Sequence, residues 1–476
     1  MTRLLRVARP AADQEGRSRR MAAGPDTDTD TKEAAAPEAG SPRWHPVTRV
    51  AFRFGLVYVA LFFLTEMRIG YPLLGVFGDE LPTGALTWQY HLVEPVVVRV
   101  GDLIGVDASL IEPVQSGDQR FFWVLALCWF LGALLAAATW SLVDRARRHD
   151  ADLHKWFVVV VRFCLAAQLF SFGFAKVFPL QMSQPLTRLV EPYGEFGMLN
   201  VLWSQVGSSP PYEMLLGCAE VTAAVLLVIP RTALLGALLA AVELTQVLLL
   251  NITYQVPLKI FSFHLLVLSL ILLAPHAVRL ARFFVTDRPA DPPVRRALFR
   301  SRRALSAALA AQLLLGAWLA GSQVREEWKL WDTIGSSAPK PPLYGIWEVR
   351  AFSLDGRERP PLTTDTERWN RLIVDTPHSY QPGSVSSQRM DGTIVDYAAA
   401  FDPKTGAMTL ARPDDPAWSA RLTFAQPAPD RLTMRGVLAG QRVSIRLEKT
   451  DLSSFPINRD SPRWVQDGPY QPRLEG

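Results

Sequence analysis

Seven stretches of the chain stay apolar long enough to cross a bilayer, whose ~30 Å hydrocarbon core takes roughly 20 helical residues. They are Ala51 to Met67, Phe121 to Val143, Trp156 to Phe178, Met214 to Ile229, Ala233 to Leu250, Leu258 to Ala274 and Ala304 to Gly321. Segment 86–106 is also rich in aromatic and aliphatic residues, but Glu94, Pro95 and Arg99 interrupt it. It predicts an amphipathic element at the outer interface rather than a span. From Leu343 the period changes from helical to alternating in segments 344–352, 368–376, 384–390, 393–401, 407–412, 418–424, 431–438 and 441–448. Turn signals such as Asp391-Gly392 and Ala439-Gly440 separate them. Eight short strands with tight connections predict an up-and-down barrel or closed sandwich, because closure removes exposed edges.

The predicted fold is therefore an all-α membrane bundle followed by an all-β barrel-like domain. Residues 1–43 carry too little apolar surface to fold and read as a disordered tail. Residues 44–321 form the membrane domain, 322–342 a linker and 343–476 the β domain. In that domain, Trp347 on the first strand and Arg446 near the last resemble the closing Trp–Arg packing of lipocalin-like barrels. A barrel of this size is either filled by its own side chains or holds one small ligand.

Composition and charge sharpen the picture. Of the 476 residues, 49% are hydrophobic, and the net charge is +5. The basic residues flank apolar runs, which argues for membrane topology and against nucleic-acid binding. Segment 144–155 and the loop with Arg279, Arg282, Arg288, Arg295, Arg296, Arg300, Arg302 and Arg303 are predicted cytoplasmic. The 68–120 loop, with Asp79, Glu80, Glu94, Asp102, Asp107, Glu112 and Asp118, is mostly acidic. Seven spans then put the N-terminus inside and the β domain outside. The three cysteines, Cys128, Cys164 and Cys218, fall inside spans with no metal-ligand spacing. They read as packing residues, and no metal site is expected.

Ionisable groups at membrane depth are costly and usually face a protein interior. At ~1.5 Å rise per residue, Glu220, Glu243 and His264 all lie roughly 10–12 Å below the outer surface. They come from three different spans, so they are candidates for one ligand-binding layer. Ser171 reaches a similar depth, with Lys176 and Lys259 nearer the outer surface. Both lysines are equally well read as snorkelling cations. Lys259 and His264 differ by about 140° around their helix, so they serve different partners. Arg162 reads as an inner-leaflet snorkelling or helix-pairing cation. Asp118 reads as the N-cap of the second span, and Pro257 as the first helical position of the sixth.

Segments "FSFGFAKVFPLQ" (170–181), "LLGCAEVTAAVLLVIPRTALLGALLAAVELTQ" (215–246) and "NITYQVPLKIFSFHLLVLSLILLAPH" (251–276) resemble the DoxX family of bacterial membrane proteins. The resemblance covers the third to sixth spans. It implies a four-helix core at about 156–276, residence in the bacterial cytoplasmic membrane, and association with redox protein partners. It makes a non-covalently bound quinone or other lipophilic molecule the expected ligand. No flavin, nicotinamide, haem or iron–sulfur signature accompanies it. Two other classes stay open: a membrane scaffold that uses the polar layer only as interhelical glue, and a small-solute transporter, which would favour repeats. Whether the protein turns over a substrate is undecided by sequence.

Overall fold

The structure, a computed structural model, describes residues 44–78, 81, 83–144, 150–286, 298–376, 385–402, 404–459 and 465. The expected disordered tail (1–43), together with Asp79, Glu80, Arg288, Arg295 and Arg296, lies outside the described residues. The helices are α1 (Pro46–Thr65), α2 (Met67–Leu74), α3 (Thr83–Ile104), α4 (Arg120–Val143), α5 (Asp150–Val177), α6 (Met198–Gly207), α7 (Pro210–Val228), α8 (Ala233–Thr253), α9 (Lys259–Leu273), α10 (Ala277–Val285) and α11 (Arg302–Thr333). Among the described residues, α1, α4, α5, α7, α8, α9 continuing into α10, and α11 are long and apolar enough to cross a membrane. All seven apolar runs are thus helical, and the chain is a multi-pass membrane protein. Helix α11 continues to Thr333, so much of the expected linker is helix. Segment 86–106 lies almost wholly within α3, which exposes Leu92, Val96 and Leu103 on one side and buries Tyr90 and Val97 on the other.

Helix α5 is the most enclosed of the spans. It packs most extensively on α7 and also touches α9 and α11, while α8 lies against both α7 and α9. Helix α1 packs on α4. At one end, Arg53 of α1 is fully buried, with Asp150 at 3.3 Å and Asp144 at 3.6 Å. This buried cation is thereby compensated by carboxylates. Arg162 of α5 donates to the Leu227 and Val228 carbonyls, each at 2.9 Å, and to Gln312 of α11. It therefore satisfies free carbonyls at the end of α7, in its helix-pairing role.

The β domain has strands β1 (Gly345–Leu354), β2 (Arg357–Glu358), β3 (Trp369–Val374), β4 (Val385–Arg389), β5 (Ile394–Asp402), β6 (Ala407–Arg412), β7 (Asp415–Ala428), β8 (Arg431–Leu438) and β9 (Gln441–Lys449). Neighbours pair antiparallel in the order β2-β1-β3-β4-β5-β6-β7-β8-β9, and β1 also pairs with β9. The eight longer strands close a barrel as the alternation predicts. The two-residue β2 folds back through Asp355 and Gly356, both at positive φ, a turn that matches hairpin twist. Inward positions supply Trp347, Phe352, Trp369, Leu372, Met408, Leu422, Met434 and Ile445, all buried, so the barrel is filled by its own side chains. The predicted Trp–Arg closure is corrected. Lys449 Nζ stands 5.4 Å from the Trp347 ring centroid, while Arg446 is exposed, because residues 445 and 447 point inward and 446 outward.

The opposite face of β1 and β3 docks onto the segment between α5 and α6. Ile346 and Ile373 pack with Leu186. The Leu186 amide donates to Asp375 at 2.7 Å, and Gln388 donates to the Val190 carbonyl at 3.0 Å.

Because the barrel closes on its own core, residues 340–476 expressed alone should give a strand-rich circular dichroism spectrum and cooperative melting. Trp347→Ala should cost that fragment about 3–5 kcal/mol in denaturant titration. A helical or uncooperative fragment would show that the barrel depends on the membrane domain.

Candidate functional site

The site begins with two glycines. Gly173 on α5 and Gly217 on α7 meet where the helices cross. A Cβ on Gly217 would lie 2.5 Å from the Gly173 carbonyl oxygen, and one on Gly173 would lie 2.8 Å from Val221. Only hydrogen at both Cα atoms permits this approach. Three residues further along each helix, and so on the same face, stand Lys176 and Glu220. Their side chains meet inside the bundle, with Lys176 Nζ at 2.9 and 2.8 Å from the two Glu220 oxygens and 3.2 Å from the Phe172 carbonyl. All three ammonium hydrogens thus have acceptors. Lys176 is only 6% exposed, so snorkelling does not describe it.

Glu243 joins this pair from α8. Gly236 brings α8 against α7, since its Cβ would lie 2.7 Å from the Leu227 nitrogen. Seven residues later, two turns along the same face, Glu243 comes close enough to Glu220 and Lys176 to feel both charges. Both Glu243 oxygens are shut off from solvent, and neither has a hydrogen-bond partner. Glu213, one helical face with Glu220, is also buried, but it accepts the Met182 amide at 3.0 Å. Lys176, Glu220 and Glu243 therefore form one polar cluster inside the apolar core. Of the three, Glu243 is the incomplete member.

His264 does not join them. Its Nδ1 lies 2.6 Å from the Ile260 carbonyl, which can only accept, so Nδ1 carries the proton and Nε2 accepts from the Tyr58 hydroxyl at 2.7 Å. The Phe62 ring stacks on the imidazole at 4.7 Å, and Trp129 meets it edge-on at 5.3 Å. These partners belong to α1 and α4. Ser262, which bonds Asn251 of α8, is about 200° around α9 from His264. The imidazole thus points away from the helix that carries Glu243. The expectation of one layer shared by Glu220, Glu243 and His264 is corrected: helix rise fixes depth, but not the direction a side chain faces.

Lys259 belongs to a third place. Asp118 accepts the Lys259 and Ile260 amides, both at 3.0 Å, and the Lys259 ammonium at 3.2 Å. It caps α9, not the α4 helix it precedes, and α9 starts at Lys259 rather than Pro257. The N-cap of α4 is Gln119, whose amide exchanges two hydrogen bonds with the Ile111 backbone at 3.0 Å. Ser171 is half-buried on α5, five residues and so about 140° from Lys176. It faces away from the cluster. The Tyr58 and Trp129 contacts escape sequence reasoning, whereas the glycine three residues before each charge, Gly173 before Lys176 and Gly217 before Glu220, is a readable signal. Among the described residues, no group of three His, Cys, Asp or Glu side chains is placed to hold a metal ion.

Gly217→Val should destabilise the detergent-solubilised protein by about 1–3 kcal/mol through overpacking at the α5–α7 crossing. Gly194→Ala, whose Cβ meets open space, should leave the melting temperature unchanged. Thermal melting of both variants checks the contrast.

No protein-family model matches the chain, and no solved structure matches it either. The uncharacterized protein YwoB of Bacillus subtilis is 33% identical to it over 132 residues, which make up 28% of this chain and 84% of YwoB. The relative is thus matched over most of its own length by one part of this longer chain. The chain belongs to the YwoB family.

Proposed function

We propose that this is a DoxX-type protein of the bacterial cytoplasmic membrane whose helical core binds a lipophilic ligand with a polar, hydrogen-donating head, of the quinone class, against Glu243. The observation that carries the reading is the pair of buried Glu243 oxygens without a donor. A carboxyl group left so at membrane depth costs free energy that a bound donor recovers. Lys176 cannot be that donor, because its three hydrogens serve Glu220 and Phe172. A ligand from outside the chain would supply the missing group. An ionised Glu243 would accept from a hydroquinone hydroxyl, and a protonated one would donate to a quinone carbonyl. Redox protein partners in the membrane would supply and remove that ligand, and the external barrel would face the extracytoplasmic side.

Extraction of the purified protein followed by mass spectrometry should identify a co-purifying lipophilic phenol or quinone, and Glu243→Leu should lose it. The same variant should melt at or above the wild-type temperature once ligand is stripped, since an unpaired buried carboxyl is replaced by an apolar side chain of similar size. Glu220→Leu, which strands Lys176, should instead cost about 3–5 kcal/mol. Retention of ligand by a folded Glu243→Leu protein would remove the basis of the assignment.

Reporter fusions test the orientation. Fusions at the C-terminus should show periplasmic-type activity, and fusions near Arg296 cytoplasmic-type activity, as expected from the basic loops. A cytoplasmic C-terminus would place the barrel on the other side.

A further inference from the structure

Helix α9 and the turn after it, Lys259 to His276, rise about 27 Å at ~1.5 Å per residue, which nearly spans the hydrocarbon core. Pro275, in the 3₁₀ turn Ala274–His276, then interrupts the helix, and α10 begins. Helix α10 buries none of its nine residues and rests on little but that turn. A helix of this length is marginal in water unless a surface supports it. At 3.6 residues per turn, Arg279 and Arg282 share one face, and Phe284 lies on the opposite one beside Ala277, Leu280 and Ala281. Phe284 is 70% exposed and meets the exposed Phe283 edge-on.

A second basic stretch comes to the same side of the bundle. Asp118 ties the start of α9 to the start of α4, and Arg53 holds Asp144, at the end of α4, with Asp150, at the start of α5. Helix α5 therefore begins on the side where α9 ends. There Phe299 meets Trp156 edge-on at 5.9 Å, with both rings exposed, as aromatic side chains at a membrane boundary are. Arg300, Arg302 and Arg303, all exposed, follow directly. Among the described residues of 277–303 no carboxylate stands against these arginines, and the rest of that stretch adds three arginines and two aspartates.

We infer that α10 lies along the headgroup boundary of the membrane and, with Arg300, Arg302 and Arg303, forms a binding surface for anionic phospholipid. Positive charge alone would serve topology. An unpacked apolar face opposite two arginines requires more, a surface that is apolar on one side and negative on the other, which an anionic leaflet supplies. Guanidinium groups grip phosphate oxygens in pairs, and the net charge of phosphatidylglycerol-type lipids leaves that attraction uncancelled, whereas the choline of phosphatidylcholine offsets it. The inference shares no residue with the Glu243 cluster and is independent of the quinone reading.

The full-length protein in nanodiscs of phosphatidylcholine with a minority of phosphatidylglycerol tests this in two ways. Native mass spectrometry of the released protein should show bound phosphatidylglycerol in excess of its share of the disc. Arg279→Gln/Arg282→Gln should lower that preference by about fivefold per charge removed, whereas Arg279→Lys/Arg282→Lys, which keeps both charges, should retain it. In parallel, p-benzoylphenylalanine in place of Phe284 should photocrosslink to lipid, and in place of Arg279, on the opposite face, should do so far less. Absence of a lipid adduct at position 284 overturns the inference, as does a dimer adduct there, which would give the face to a second copy of the chain. A phosphatidylglycerol preference that survives Arg279→Gln/Arg282→Gln in a protein with wild-type melting overturns it too, as does one lost equally in the lysine pair.

Discussion

The contact between Gly173 and Gly217 is the constraint on which the membrane half depends. Each glycine stands where the other helix's backbone needs room, and the consequence is the meeting of Lys176 with Glu220 three residues further on. Neither charge could be buried alone at acceptable cost. Packing thus comes first and electrostatics second. Gly236 repeats the device on α8 and brings Glu243 to the same cluster, this time without a compensating cation of its own.

The polar groups of the bundle then divide by whether the fold satisfies them. Arg162 holds free carbonyls, Asp118 holds free amides, and Glu213 holds the Met182 amide. His264 uses one nitrogen on the backbone and the other on Tyr58. Such groups act as fasteners between helices, and their hydrogen-bonding capacity is spent. Glu243 is different, since both its oxygens, like Ser204 Oγ and Ser322 Oγ, are buried without a partner.

Much of the architecture was legible in the sequence, because length of apolar run and alternation are one-dimensional properties. The seven helices and the eight-stranded closure follow from them directly. Facing direction is not one-dimensional. Glu220, Glu243 and His264 share a depth that sequence arithmetic can find, but the side of α9 that meets α1 depends on tertiary packing with residues about 200 positions away, such as Tyr58. Asp118 follows the same rule: a capping residue next to α4 in sequence caps α9 in space. Lys449 rather than Arg446 covers Trp347 because strand register, not residue type, decides which side chain reaches the ring.

The strap between α5 and α6 joins these two worlds. One end of it is held by Glu213 of α7 at Met182, and four residues later the Leu186 amide is held by Asp375 at the end of β3. Each fastening is a charge-assisted hydrogen bond, worth about 1.5–3 kcal/mol. The same strap starts at the C-terminal end of α5, just beyond Lys176. The barrel is thus tied, through the chain between Lys176 and Leu186, to the helix end that carries the buried ammonium. The domain outside the apolar core is a handle on the charge within it.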